Sequence, residues 1–442
     1  MLIPSRRLLV AIAVAFFLAI GASVLGPQEP LWLLAAVVLA LIAAFDAVRL
    51  ARTASPTATR ALPSSLALGL ERNVSLRLSN PNSAAIRVEC HDHHPPSFAV
   101  SGLPRTVSVG AGAWSTFSYA ARPTARGDHQ FELLEVRLAS PFGLWHQRRR
   151  IGSATKVRVY PNFAAITKYA LLATDNRLAQ IGVLLRRRRG EGLDFHQLRE
   201  YRRGDSLRQI DWKASSRVSK LISREYQDER NQQVVFLLDC GRRMGAQDGA
   251  LSHFDHMLNA ALLLSYVSLR QGDAVGLLTM GNQTTGAFMQ ERFLAPRKSA
   301  ATVNVILNRV FDLQPTLASS DYYAGALALM QRVSKRALVV VLSNLRDEDD
   351  DDLIPALKLM RSRHLVLFAS LREQILADTL VKPVQRFDDA LAHAATADYL
   401  RQRERAFARV AQAGAIMLDV EPEKLAVQLV NRYLEVKRSG RL

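Results

Sequence analysis

From Leu8 to Leu25 the chain carries no charged side chain, and Arg6 and Arg7 stand directly before that run. This is about the length needed to cross the hydrocarbon core of a bilayer. Gly26-Pro27-Gln28-Glu29-Pro30 then marks a tight turn, and a second apolar run, Leu31 to Phe45, leads into Asp46, Arg49 and Arg52. Two apolar runs joined by a short turn read as a transmembrane helical hairpin over residues 1–53. Arginines on both flanks, with only Glu29 in the turn, place both termini in the cytoplasm by the positive-inside rule. A signal peptide is the competing reading of the first run, because Gly21-Ala22-Ser23 resembles a cleavage site. The second run argues against it.

Residues 54–160 change character. Leu66 to Leu70, Val74 to Leu78, Ile86 to Glu89, Thr106 to Val109, Thr116 to Tyr119, Phe131 to Leu138 and Lys156 to Val159 are short runs rich in apolar or β-branched residues. Turn residues punctuate them, which predicts a small β-sandwich. Within it, Cys90-His91-Asp92-His93-His94 offers metal-ligand types, but neighbours in an extended chain point to opposite faces. At most His91 with His93, or Cys90 with Asp92 and His94, can converge, and no second ligand pair at zinc-like spacing follows. The expectation is a polar strand end turning into a loop. Cys90 and Cys240 are the two cysteines of the chain, far apart and without paired spacing, so no structural disulfide and a reducing compartment are expected.

Lys and Arg number 58 against 40 Asp and Glu, a formal net charge of +18. Some face should therefore favour phosphate, nucleic acid or anionic lipid. The basic runs Arg148-Arg149-Arg150 and Arg186 to Arg189 read as a loop-like linker able to meet anionic lipid. They lack the aromatic interleaving of nucleic-acid binders, and no nucleic acid is expected.

The linker ends in Leu198-Arg199-Glu200-Tyr201-Arg202-Arg203-Gly204-Asp205-Ser206-Leu207-Arg208-Gln209-Ile210-Asp211-Trp212-Lys213. Charges of both signs this dense read as a salt-bridged collar, in which Arg199, Arg208 and Lys213 can pair with Glu200, Asp205 and Asp211. Gly204-Asp205-Ser206-Leu207 also spells a short serine-esterase signature. A nucleophile of that kind follows an apolar strand, whereas Ser206 follows Arg202 and Arg203.

Val234 to Asp239 is apolar until its last residue, the pattern of a central parallel strand whose end points a carboxylate into a crevice. Beyond it apolar strands alternate with helical segments: a helix over 253–270, strands at 274–280 and 288–294, helices at 299–311 and 323–333, and a strand at 337–343. A helix at 353–362, a strand at 365–370, a helix at 399–413, a strand at 415–420 and a helix at 422–436 follow. This alternation predicts a doubly wound α/β domain over residues 233–442, with 161–232 as linker and collar.

The apolar hairpin, Arg126-Gly127 followed by Ser140-Pro141-Phe142-Gly143-Leu144, Val157 to Pro161, and Gly192 through Lys213 with Asp239 downstream together resemble a bacterial membrane protein family. That family is catalogued as a domain of unknown function and carries a von Willebrand factor A-like domain. Its genes typically lie beside MoxR-type AAA+ ATPases. The resemblance covers essentially the whole chain and implies a bacterial inner-membrane protein.

In a metal-binding A domain the first strand ends in Asp-x-Ser-x-Ser, a later loop gives a Thr, and another strand ends in an Asp, hard oxygen ligands suited to Mg²⁺. Here Asp239 stands, but Gly241 and Arg243 occupy both serine positions and Asn344 the second aspartate position. Ser320 and Asp321 lie near the threonine position. The expectation is a metal-free, cofactor-free crevice in which Arg243 pairs with Asp239. The acidic run Asp347 to Asp352 reads either as a loop starting the next helix or as a rim for a basic partner.

The function implied is a membrane-anchored, non-enzymatic adaptor whose A-like domain docks a MoxR-type AAA+ ATPase or its client. Asp239, Arg243, Asn344, Asp347 and Asp349 would line the docking crevice, braced by Asp205, Arg208, Asp211 and Trp212. The alternative is a charge-driven regulator binding anionic lipid or nucleic acid. A serine hydrolase using Ser206 is the remoter reading, since no Gly-x-Ser-x-Gly, His-Glu-x-x-His or phosphate loop is present.

Overall fold

The structure, a computed structural model, describes residues 2–25, 31–162, 194–202, 205, 207–227, 232–281, 291–346 and 349–441. The chain divides into two compact units, Met1–Tyr160 and Pro161–Leu442.

The first unit opens with β1 (Leu2–Pro4), α1 (Arg6–Leu25) and α2 (Leu31–Arg52). Among the described residues one helix, Trp32–Arg52, is long and apolar enough to cross a membrane. The turn expected at Gly26 to Pro30 lies outside the described residues. Eleven strands follow: β2 (Thr57–Ala61), β3 (Ser65–Ala67), β4 (Arg72–Ser79), β5 (Ile86–Asp92), β6 (Phe98–Ser101), β7 (Arg105–Val109), β8 (Trp114–Pro123), β9 (Gly127–Phe131), β10 (Leu134–Ala139), β11 (Trp145–Ile151) and β12 (Thr155–Tyr160). They form sheets in the orders β1-β11-β10-β5-β7, β2-β4-β8-β6 and β3-β12-β9. Alternation decides which side chains face inward: Val74, Leu76 and Leu78 of β4, and Val88, Cys90 and Asp92 of β5, are buried.

Two readings of the sequence change here. The run Phe131 to Leu138 is two strands, β9 and β10, that join different sheets. Arg148-Arg149-Arg150 is not linker but the body of β11, paired with Arg137, Val136 and Glu135 of β10. Arg149 donates to the carbonyls of Leu50 and Thr53 at the end of α2, at 3.0 and 2.6 Å. A cation placed on the last carbonyls of a helix meets the negative end of its dipole. A charge run on an exposed strand face looks like a linker when the strand's partner is unknown.

Within this unit, Asp46 of α2 is buried. The Ser140 hydroxyl donates to it at 2.5 Å, and the backbone N–H groups of Phe142 and Leu144 at 3.1 and 3.3 Å. The turn that makes this cradle requires a left-handed residue, supplied by Gly143 at φ 72°. Trp145 Nε1–H donates to the Ala43 carbonyl at 2.8 Å. The run Ser140-Pro141-Phe142-Gly143-Leu144 is thus a receptor for one helical aspartate.

The second unit begins with an antiparallel pair, β13 (Asp194–Glu200) and β14 (Ile222–Gln227), enclosing the short helix α3 (Trp212–Val218). Then come β15 (Gln233–Asp239), β16 (Gln247–Asp248), β17 (Leu251–Ser252), α4 (His253–Arg270), β18 (Ala274–Met280), β19 (Phe293–Arg297), α5 (Thr302–Val310), α6 (Tyr322–Arg332) and β20 (Leu338–Ser343). The chain continues through α7 (Asp350–Arg361), β21 (Leu365–Leu371), α8 (Gln374–Val381), α9 (Phe387–Gln412), β22 (Ile416–Val420) and α10 (Leu425–Arg438). Ser252 starts α4 with a capping box: its hydroxyl accepts from the Asp255 N–H, and the Asp255 carboxylate accepts from the Ser252 N–H.

The sheet runs β19-β18-β15-β20-β21-β22, parallel except for the edge strand β19. Strand alternation sends Val234, Phe236 and Leu238 into one core with α4 and α10, and Val235 and Leu237 into a second core with α6 and α7. Helices on both faces explain why the strands are apolar throughout. The edge strand expected at 288–294 is β19, displaced toward 297, and residues 282–290 lie outside the description. The helix expected at 399–413 begins a dozen residues earlier, and α8, which the sequence reading left unassigned, precedes it.

Candidate functional site

In this sheet order β15 is followed in the chain by β18 on one side, and the chain then returns to β20 on the other. The C-terminal ends of β15 and β20 therefore flank a topological switch point, where open α/β sheets place their ligands. Asp239 ends β15 and Ser343 ends β20, and pairing of Leu238 with Leu342 puts the two residues side by side. Both share the sheet face of Val341 and Leu237.

Asp239 is buried and accepts from three donors: the Ser343 hydroxyl at 2.5 Å, the Gly241 N–H at 2.7 Å, and the Ser320 hydroxyl. Tyr322 lies behind Ser343 at 2.8 Å. Because Ser343 gives its proton to Asp239, it accepts from Tyr322. Burial pushes the Asp239 carboxyl above its ordinary value, opposed by these hydrogen bonds and by the charge of Arg243. Burial likewise holds the Tyr322 hydroxyl well above its usual range.

Arg243 was expected to pair with Asp239. Its guanidinium forms an ion pair with Asp349 instead, and Asp349 also accepts from the Arg346 N–H at 2.9 Å. Asp349 is thereby buried and occupied, not a free rim carboxylate. Asp352 of α7 accepts from the N–H groups of Tyr322 and Tyr323 at 2.6 and 3.1 Å, capping α6 beside its own N-cap Asp321. The small cleft left between these groups is lined by Asp239, Arg242, Arg243, Ser319, Ser320, Tyr322 and Asp349.

Asn344 was expected in that lining. It has the opposite strand parity to Ser343, and its side chain turns to the other side of the sheet end. There it donates to Glu373 at 2.9 Å and accepts from Arg403 at 3.1 Å. Arg403 is a buried guanidinium on α9 that also donates to Leu345 O, Ser370 Oγ, Leu371 O and Asp419 Oδ1, at 2.5, 2.9, 2.8 and 2.9 Å. It ties together the ends of β20, β21 and β22. The sequence reading missed it, although Arg403, Ala406 and Val410 share the buried face of α9 and a cation on such a stripe is the available signal.

As a holder of Mg²⁺ this donor set does not fit. Both Asp239 oxygens already accept, Asp349 is neutralised by Arg243, and a Cβ on Gly241 would overlap the Ser320 hydroxyl. An octahedral ion needs several free oxygens where this cleft presents guanidinium groups. At the earlier Cys-His run, Cys90 is buried with its thiol pushed up to about 12, first by burial. Asp92 is held by Arg60 at 2.5 Å and by the Tyr119 hydroxyl at 2.6 Å. His93 meets Glu135 at 3.3 Å. Among the described residues no three His, Cys, Asp or Glu side chains gather as a metal site.

In the charged segment, Arg199 forks onto Asp205 at 2.7 and 2.9 Å and holds its carboxyl below the ordinary value, with help from the Arg202 N–H. Asp211 caps α3 through the Ala214 N–H at 3.0 Å and meets Arg224 at 3.0 Å. Glu200 pairs with Lys220 at 2.7 Å, and the Tyr201 hydroxyl donates to the Asp205 carbonyl at 3.3 Å. Among the described residues, Glu200 and Asp211 take Lys220 and Arg224 as partners, where the sequence offered Lys213. These bonds fasten the β13–β14 hairpin to its own helix rather than brace the Asp239 cleft, and Trp212 and Lys213 are exposed. Gly204, Ser206, Asp347 and the Arg208 side chain lie outside the described residues.

Residues 197–390 match the family described as "Protein of unknown function DUF58". The DUF58 match takes in Asp239, Ser320, Ser343 and Asp349 and stops short of Arg403. The chain is also 23% identical over 176 residues to the "Uncharacterized protein YeaD" of Bacillus subtilis (strain 168), which takes in 38% of this chain and 40% of that relative. The chain thus spans well under half the length of the curated relative it matches. Among solved structures, 24% of the chain is similar to Escherichia coli alpha-2-macroglobulin activated by porcine elastase, at 16% identity, 9% of that chain and a TM-score of 0.19. A further likeness is to the PapD-like domain of human CEP192, at 13% identity over 23% of this chain and 84% of that one, with a TM-score of 0.18.

Proposed function

We propose that this protein is a membrane-anchored adaptor rather than an enzyme. Its N-terminal runs form a two-span hairpin in a bacterial inner membrane with both termini cytoplasmic. Its α/β unit is a degenerate von Willebrand factor A-like domain that docks a MoxR-type AAA+ ATPase or the client of one. The strand order, with one antiparallel edge and an aspartate-ended central strand, supports the A-like reading. The arginines at the cleft support the absence of a metal.

The observation that carries protein docking is an apolar surface on α8 and the start of α9. Ile375, Val384 and Leu391 are exposed there, with Val381 at 84% and Phe387 at 82%. Exposed apolar groups clustered in sequence and space mark contact surfaces. Because α8 directly follows β21, this surface rises from the same end of the sheet as Asp239.

The test mixes the purified full-length protein in detergent with a MoxR-type ATPase of the same organism and a non-hydrolysable ATP analogue. Wild type is expected to form a complex, and Val381→Asp and Phe387→Asp to weaken it by about tenfold or more. A complex untouched by both variants removes the patch from the reading. No complex, together with steeply salt-dependent retention on anionic vesicles, transfers the reading to the charge-driven alternative.

A further inference from the structure

On α2, Ala43, Asp46 and Leu50 are buried, at helical spacing, while Leu41, Phe45 and Val48 are exposed. The buried face is covered by the turn between β10 and β11. At the tip of that turn stands Phe142, itself 50% exposed, with its ring 6.4 Å from that of Phe45, which is 56% exposed. The exposed apolar face of the helix therefore continues onto the turn between β10 and β11. Cations border this aromatic pair. The Arg49 guanidinium lies 5.9 Å over the Phe45 ring. Arg7 lies along the turn, its Nη1 3.1 Å from where a Cβ on Gly143 would stand. Both arginines are exposed.

Aromatic rings at the end of an apolar helix, bordered by exposed arginines, match the composition of a bilayer's headgroup layer, where rings sit at the boundary and guanidinium groups reach lipid phosphates. We infer that the turn Ser140–Leu144 is a bilayer-interface anchor: Phe142 enters the headgroup-acyl boundary beside Phe45, and Arg7 and Arg49 meet the phosphates of anionic phospholipid. The inference rests on the reading of α2 as a membrane span. It assigns a lipid-binding role to a part of the β-sheet region rather than to the helices alone. It also gives the cradle around Asp46 a purpose, since a carboxylate held there fixes the turn at one depth along the helix.

Spin labels on the full-length protein in vesicles of phosphatidylethanolamine and phosphatidylglycerol test this. One label is placed at Phe142→Cys and a reference label at Leu41→Cys; the native Cys90 and Cys240 are buried, so labelling of the folded protein is directed to the introduced thiol. Collision with oxygen reports lipid, and collision with a water-soluble nickel chelate reports water. The expected result is an oxygen-to-nickel collision ratio above unity at both positions. A ratio below unity at 142 with one above unity at 41 overturns the anchor and leaves the span standing. Ratios below unity at both overturn the span and the anchor together. Low collision with both agents at 142 means that protein covers the turn, and this also overturns the proposal. Because Phe142 is half-exposed on a turn, its replacement leaves the core intact, and Phe142→Trp with quenching by brominated lipid gives a second reading of the same depth.

Discussion

Ser343 and Asp239 end neighbouring parallel strands, and the Ser343 hydroxyl donates to the Asp239 carboxylate at 2.5 Å while accepting from Tyr322 at 2.8 Å. With Ser320 and the Gly241 N–H on the other oxygen, the carboxylate at the switch point is turned inward and satisfied. The outward chemistry of the cleft passes to Arg242, which is exposed.

Asp239 should give the α/β unit a pH dependence of definite sign. Its carboxyl is raised by burial above the ordinary value of 3.8. A raised carboxyl contributes stability below the unfolded value, and that contribution is lost as pH rises through the folded value. Relative to wild type, Asp239→Asn is therefore expected to gain thermal stability as pH rises. Unfolding temperatures of both proteins between about pH 4 and about pH 8 check this; a difference that does not change with pH counts against it.

Removing Arg403 strands several buried groups at once. Arg403→Met is expected to destabilise the second unit by about 3–5 kcal/mol, the range for breaking buried charge networks. Arg403→Lys should recover little, because an ammonium cannot fork between three strand ends. Urea unfolding of the two variants provides the measurement, and near-complete rescue by lysine would show that charge alone matters.

Gly241 has no room for a side chain. A Cβ there would overlap the Ser320 hydroxyl and lie 3.1 Å from the Ala318 carbonyl. Gly241→Ala is expected to cost about 1–3 kcal/mol, the usual range for overpacking. Placing a serine two residues after Asp239 with Gly241→Ser should not create an Mg²⁺ site, because Arg243 and Asp349 remain paired. Isothermal calorimetry with Mg²⁺ on that variant should register no binding heat.

Ser140→Ala removes the shortest bond of the Asp46 cradle. Amide hydrogen exchange at Phe142 and Leu144 should then speed up by about tenfold, the equivalent of about 1.4 kcal/mol and close to the low end of the range for one hydrogen bond to a charged group. Exchange at the amides of β4, in another sheet, is expected to stay unchanged and serves as the internal control.

The second unit was readable because its information is local. A strand buried on both faces announces itself as an unbroken apolar run, and Asp239 stood out against Val234 to Leu238. The choice between Ser343 and Asn344 was not readable, because it depends on the register in which β20 pairs with β15, and one residue of register exchanges the two. Arg403 and Arg149 escaped notice for a related reason. Each acts on groups supplied by distant segments, and one arginine among several in a helix or an arginine run in a strand looks solvated until those segments are in place. The β-sheet region was partly readable: the strands with apolar alternation stood out, while β2, with its half-exposed pattern, carried no such signal.

Only four residues separate the end of α2 at Arg52 from the start of β2 at Thr57. Asn82 grips that short stretch by donating to the Ala54 carbonyl at 3.0 Å and accepting from its N–H at 2.8 Å. With Asp46 held by the turn and Arg149 on the last carbonyls, helix and β-sheet region form a lever arm rather than a load on a string. Force applied to the sheets would tilt the helix instead of being absorbed by slack chain.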